Sequence, residues 1–223
     1  MKQLMDTTKI CKVCFESIQL NSFHNLTNNL CICYSCIKQM NPIFKSFEID
    51  KVKALAIYHY NDYLKKLIFQ YKGCLDYELK DIFITPYINE LKILYKNYYM
   101  LVVPSSKEKI KERGFNHCLE MFKPLGLKTI EPIEKIKDEK QSDKTYLERL
   151  KVKENLILVD KEINKNKKIL IVDDICTTGS TLKAVINLLR EADVKKMKIL
   201  VIAKRDFTKK ELKQLEDPSF VLN

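Results

Sequence analysis

Apolar positions in this chain alternate between a compact, strand-like rhythm and a helical one. Val52, Ala54 to Ile57 and Tyr58 form a tight run that predicts a first strand. Leu64, Leu67, Ile68 and Tyr71 then recur at i, i+3, i+4 and i+7, one face of a helix that Gly73 is placed to stop. A second helical period runs through Leu79, Ile82 and Phe83 to Ile88, Leu91 and Leu94, with Pro86 as its kink or break. Tyr98 to Val103, closed by Pro104, predicts a buried strand, and a polar loop leads to a short helix near Asn116 to Phe122. Leu156 to Val159 is a further short strand. Ile169 to Val172 is almost uniformly apolar, as a strand covered on both faces requires. After it come a helix with Leu182, Val185, Ile186 and Leu189 on one face and a strand from Ile199 to Ala203. Thr208 and Glu211 have capping-box spacing for a short last helix, while Ile37 to Asp50, with Pro42, reads as a connector.

Strands alternating with helices predict an α/β fold with a mostly parallel, twisted sheet and flanking helices. Ligands of such sheets bind beyond the carboxyl ends of the strands, where strand order reverses. At 223 residues the chain suffices for one filled core with a small appendage, and residues 1–45 and 46–223 divide accordingly. An apolar fraction of 46% against 31% charged excludes a disordered chain. The formal charge of +11 suits nucleic acid, phosphorylated ligands or anionic lipid, although the lysines are scattered rather than clustered. With no leader-like run and no stretch near the roughly 18 apolar residues of a membrane span, the expected location is cytoplasmic. There, eight cysteines are expected as metal ligands or buried thiols rather than disulfides.

Four of those cysteines form two knuckles, Cys11-Lys-Val-Cys14 and Cys33-Tyr-Ser-Cys36, separated by eighteen residues. Each C-x-x-C turn points two thiolates at one metal, and two knuckles complete a closed tetrahedral site for structural Zn²⁺. Cys31 and His24 are alternative ligands that spacing leaves open. A four-ligand site has no position for catalysis.

The richest segment runs from Ile169 through Asp173-Asp174-Ile-Cys-Thr177-Thr178-Gly179-Ser180-Thr181 into Leu182. Free backbone N–H groups at the helix start attract an anion such as phosphate. Gly179 permits close approach, and the hydroxyls of Thr177, Thr178, Ser180 and Thr181 add donors. Asp173 and Asp174, at the strand end, offer acceptors for adjacent ribose hydroxyls. Simple helix capping would not need two adjacent carboxylates, and a Walker A loop would need a lysine where Gly179 stands.

This segment resembles the signature of the type I phosphoribosyltransferases. The resemblance implies that Thr177 to Thr181 hold the 5′-phosphate of phosphoribosyl pyrophosphate, that Asp173 and Asp174 hold its ribose, and that Mg²⁺ accompanies the pyrophosphate. Thr177 stands where purine-salvage members carry an acidic residue, which argues against purine salvage. Arg113-Gly-Phe-Asn116 after Val102-Val-Pro104, with Tyr71-Lys72-Gly73, Gln141 and Glu148-Arg149, resembles the ComF family, although His117 and Ser105-Ser106 depart from its usual residues. That family pairs a four-cysteine zinc ribbon with a phosphoribosyltransferase-like domain. It implies a pyrophosphate end near Ser105 and Arg113, a mobile flap at Gln141 to Arg149, and a role in natural transformation, handling incoming single-stranded DNA with other DNA-processing proteins. A catalytic phosphoribosyltransferase with an unidentified acceptor is the alternative. Cys74, Cys118 and Cys176 read as small buried residues.

Overall fold

The computed structural model describes residues 9–18, 30–135, 156–160 and 166–205. In chain order its elements are α1 (Tyr34–Met40), β1 (Pro42–Ile49), β2 (Val52–His59), α2 (Asp62–Lys72), α3 (Ile88–Leu94), β3 (Tyr98–Val102), α4 (Lys107–Arg113), α5 (His117–Phe122), β4 (Thr129–Ile130), β5 (Ile133–Lys135), β6 (Leu156–Leu158), β7 (Lys168–Cys176), α6 (Ser180–Glu191) and β8 (Lys196–Lys204). Six strands form one sheet in the order β1-β2-β8-β7-β3-β4. Only the β1–β2 pair within it is antiparallel.

The expected α/β architecture is therefore present. The uniformly apolar run Ile169–Val172 lies in the central strand β7 with no exposed surface, because helices cover the sheet on both sides. Leu170 and Val172 join the core formed with α2, α3 and α5, while Ile169 and Ile171 join the core beneath α6. From β7 the chain goes to β8 on one side, and its other neighbour is the earlier strand β3. A crevice therefore opens beyond the carboxyl ends of β3 and β7, where Val103 N–H still donates to Val172 O at 3.0 Å.

Three expectations need correction. Ile37 to Asp50 is not a connector: it comprises the end of α1 and the eight-residue edge strand β1. Proline is tolerated at the first position of an edge strand, and the register shifts between Pro42 and Lys45. The hairpin turn that follows uses Asp50 and Lys51, both at positive φ, without the glycine that ordinarily announces such a turn. Arg190 of α6 braces it by donating to Asp50 O at 2.6 Å and to the Asp50 carboxylate. Second, the helical period from Leu79 to Leu94 is split at Pro86, as one of the two expected outcomes, but the part before α3 is two 3-10 turns, Tyr77–Ile82 and Thr85–Tyr87, rather than α-helix. Third, the strand at Leu156 stands outside the main sheet, paired antiparallel with β5. The capping-box pair Thr208 and Glu211 lies outside the described residues.

The 45/46 boundary falls inside β1. The N-terminal segment and the sheet domain also share one core, since Cys11, Ile32 and Cys36 belong to the same buried cluster as Leu64, Ile68 and Phe83. Lys12 fastens this contact, its ammonium donating to the carboxylates of Glu78 at 2.9 Å and Asp81 at 3.1 Å.

Candidate functional site

The two cysteine knuckles converge. The Sγ atoms of Cys11, Cys14, Cys33 and Cys36 all lie within 4.8 Å of one another. Cys14 Sγ and Cys33 Sγ are 3.6 Å apart, and a tetrahedron with bonds of about 2.3 Å has edges of about 3.8 Å. The donor set also has the right chemistry. Amide N–H groups of Val13 and Cys33 point at Cys11 Sγ, at 3.4 and 3.3 Å, as they do toward a thiolate. Four sulfurs in this arrangement fit a tetrahedral, thiophilic ion such as zinc. Cys31 stands outside the cluster, its thiol pushed up to about 11 by burial. His24 lies outside the described residues.

The Thr/Gly segment forms the bend between β7 and α6. Thr177, Thr178 and Ser180 are exposed, Thr181 is half-buried, and Gly179 is buried. Gly179 has φ +76°, which favours glycine on backbone grounds, and a methyl group there would come within 3.1 Å of Ile49 Cδ1, so that the isoleucine would have to shift slightly. The helix that follows is twelve residues long and has no side-chain cap. Within the bend, Ser180 N–H donates weakly to Thr178 Oγ1 at 3.4 Å. Hydroxyls and helix-terminal amides thus face outward together.

Both aspartates lie within β7 and are engaged away from α6, so they are not its caps. Asp174 is only 8% exposed. Its Oδ2 forms an ion pair with Lys72 of α2 and lies 3.2 Å from His117 Nε2 of α5. Arg113 Nη1, always a donor, sits 3.0 Å from His117 Nδ1. Nδ1 must accept, so the imidazole proton resides on Nε2 and is donated to Asp174. The backbone supports this arrangement: buried Tyr71 Oη donates to His117 O at 2.8 Å, and the Tyr71 ring packs against Phe115.

The two carboxyls are driven in opposite directions. Burial pushes Asp174 up, yet the His117 hydrogen bond and the Lys72 charge overcome it and hold the group well below the usual carboxylate range. Asp173 is raised to about 8, first by burial and then by the charge of Asp174. Its Oδ1 accepts from the Asp174 amide at 2.9 Å and from Cys118 Sγ at 3.7 Å. Lys72 supplies the counter-charge to Asp174.

Ser105 lies just past the carboxyl end of β3, lining a cleft of about 150 Å³ with Pro104, Asn116, Leu119 and Glu134 whose walls include neither aspartate nor any residue of the Thr177–Thr181 bend. Arg113 is turned toward His117 and joins the site through that ring. Gln141, Glu148 and Arg149 fall outside the described residues. Sequence reasoning singled out Lys72 and His117 only as parts of motifs, and Cys118 only as a buried thiol. It missed that all three touch the aspartate pair, because the contacts span 102, 57 and 55 residues of chain.

The family model described as Phosphoribosyl transferase domain matches residues 122–221. The chain is 35% identical over 143 residues to Competence protein ComFC of Streptococcus pneumoniae (strain ATCC BAA-255 / R6), a match covering 64% of each protein. It is 24% identical over 185 residues to Competence protein ComFC of Bacillus subtilis (strain 168), covering 78% of this chain and 75% of that one. The match thus spans just under two thirds of the Streptococcus relative's length. Among solved structures, adenine phosphoribosyltransferase of Saccharomyces cerevisiae superposes with a TM-score of 0.41 at 16% identity, covering 80% of this chain and 94% of that one. Purine phosphoribosyltransferase of Pyrococcus horikoshii Ot3 gives 0.37 at 20% identity, covering 60% and 77%. Likeness at that level assigns no substrate.

Proposed function

Since the chain belongs to the ComF family and carries a phosphoribosyltransferase-like domain, we propose that it binds phosphoribosyl pyrophosphate with Mg²⁺ and acts in handling single-stranded DNA during natural transformation. The observation that carries the reading is the exposed group Thr177, Thr178 and Ser180 at the start of a twelve-residue helix without a side-chain cap, directly following the strand-end pair Asp173 and Asp174. The bend takes the 5′-monoester. Asp173, the more accessible carboxyl, accepts from the ribose hydroxyls, and Asp174 is the fixed base on which that geometry rests. Ser105 and Arg113 flank the pyrophosphate end, where Mg²⁺ travels on the ligand and needs few protein oxygens. Zinc at Cys11, Cys14, Cys33 and Cys36 has a structural role. The +11 charge supports the nucleic-acid part of the proposal, and cytoplasmic action accords with it.

Calorimetry with phosphoribosyl pyrophosphate and MgCl₂ tests the ligand. Saturable heat that disappears in Thr178→Val/Ser180→Ala, with unchanged circular dichroism, supports the proposal. Wild-type protein that gives no heat refutes it. For DNA, anisotropy of a labelled oligonucleotide should show affinity that falls as salt rises, and no binding even at low salt removes that part.

The cleft beside Ser105 favours a second reading, transfer of the ribosyl group to an unidentified acceptor. Pyrophosphate release that depends on an added acceptor would establish it.

A further inference from the structure

A second groove, whose lining includes none of Thr177 to Thr181, runs along the outer face of α2. The helix buries Leu64, Leu67, Ile68 and Tyr71, leaving Asp62, Lys65, Phe69 and Lys72 in a stripe at intervals of three, four and three residues on the opposite side. That stripe, with Lys66, forms one wall. Tyr60 at the exit of β2 and Ile175 of β7 complete a groove of about 570 Å³. The volume falls within the ordinary range for small-ligand sites.

Phe69 is 62% exposed, an unusual position for a phenylalanine ring beside a half-buried tyrosine. Gly73 holds it there: a methyl group on Gly73 would approach the Phe69 ring carbons to 2.9 Å, so the ring lies against bare backbone at the helix end. The groove thus offers two aromatic surfaces, and its charge is the ammonium groups of Lys65 and Lys66 against the single carboxylate of Asp62, Lys72 being paired with Asp174. An apolar guest would not call for the lysines, and a simple anion would not call for the rings. A planar aromatic ring joined to a phosphate satisfies both, through stacking and charge. We infer that this groove binds nucleotides, either free or as units of a strand, with the base against Phe69 and Tyr60 and the phosphate toward Lys65 and Lys66. Lys72 borders this groove and the aspartate pair alike.

The test titrates full-length, zinc-loaded protein, held in saturating ribose 5-phosphate to fill the 5′-phosphate bend, with thymidine 5′-monophosphate and, separately, with a labelled oligothymidylate. Phe69→Ala should weaken binding of the nucleotide probe about tenfold, the typical loss of one base–aromatic stack. Lys65→Ala/Lys66→Ala should flatten the salt dependence. All these side chains project from the helix surface, so circular dichroism should be unchanged. Binding of the monophosphate identifies free nucleotide as a ligand, and binding of the oligomer alone identifies the strand. Either result supports the inference if Phe69→Ala weakens it. No binding of either probe, or wild-type affinity in Phe69→Ala, overturns it. Binding of phosphoribosyl pyrophosphate, followed in the same Phe69→Ala protein, is a separate readout whose success or failure leaves this result unaffected.

Discussion

Replacing Lys72 with methionine keeps most of the side-chain volume and removes one charge, the one that balances Asp174. The Lys72 side chain is 30% exposed and that of Asp174 11%. Removing one partner of a buried pair typically costs about 3–5 kcal/mol. Two features lower that here: the lysine is partly solvated, and His117 still donates to Oδ2 at 3.2 Å. The expected loss is about 2 kcal/mol at pH 7, equivalent to about 4–8 °C in Tm for a domain of this size. Its pH dependence carries the reasoning. In the wild type, Asp174 is depressed when folded, so its stabilisation is present above the unfolded value near 3.9 and is lost only as pH falls through the lower folded value. Without Lys72, burial acts with less opposition and the folded value rises. The variant therefore takes up its proton at higher pH than the wild type, and the difference between the two proteins shrinks on acidification. Urea melts of both proteins at pH 7.0, 5.0, 4.0 and 3.0, followed by circular dichroism in zinc-containing buffer, measure that difference, whose decline linkage confines to the range below about pH 4. Lys72→Arg should restore most of the stability. A constant difference across the series, or one below about 0.5 kcal/mol at pH 7, would refute the assignment of Lys72 as the counter-charge.

Asp173→Asn should stabilise the protein while abolishing ligand binding. Because the folded group is raised to about 8, the native state holds a proton that the unfolded chain releases near 3.9. Stability is therefore lost as pH rises between those values, and asparagine should recover about 1–2 kcal/mol at pH 8, read in urea melts. Gly179→Ala should cost about 1–2 kcal/mol through its positive φ and the contact with Ile49, and should remove the heat of phosphoribosyl pyrophosphate binding. Chelation should lower Tm by several degrees and release one zinc per chain, measured with a metallochromic dye, because Cys11 and Cys36 are core residues as well as ligands.

The parts of this molecule that were legible in sequence are those specified by local pattern. The burial of β7 follows from four consecutive apolar residues, the buried face of α2 from the spacing of Leu64, Leu67, Ile68 and Tyr71, and the knuckles from two C-x-x-C turns. Each signal spans a few residues and is indifferent to what lies across the fold. β1 was missed because its alternation is weak, its burial is only partial, and Asp50-Lys51 makes a left-handed turn with residues that do not specialise in it. The network around Asp174 was missed for a different reason. Lys72 reads in sequence as the polar end of an amphipathic helix, and His117 as one more residue of a short one. Only the packing of α2 and α5 against the same end of β7 turns them into a charge balance.

That packing gives α2 a role beyond covering the sheet. At its start, Asn61 accepts from Leu64 N–H at 2.8 Å and donates to Gln39 O at 2.9 Å, joining it to α1, the helix that bears Cys36. At its end, Tyr71 fixes the backbone of His117 and Lys72 neutralises Asp174. Its inner face shares a core with the cysteine knuckles, and its outer face carries Phe69 and the lysines of the groove. One eleven-residue helix therefore carries contacts to the four-cysteine cluster, the carboxylate pair and the groove.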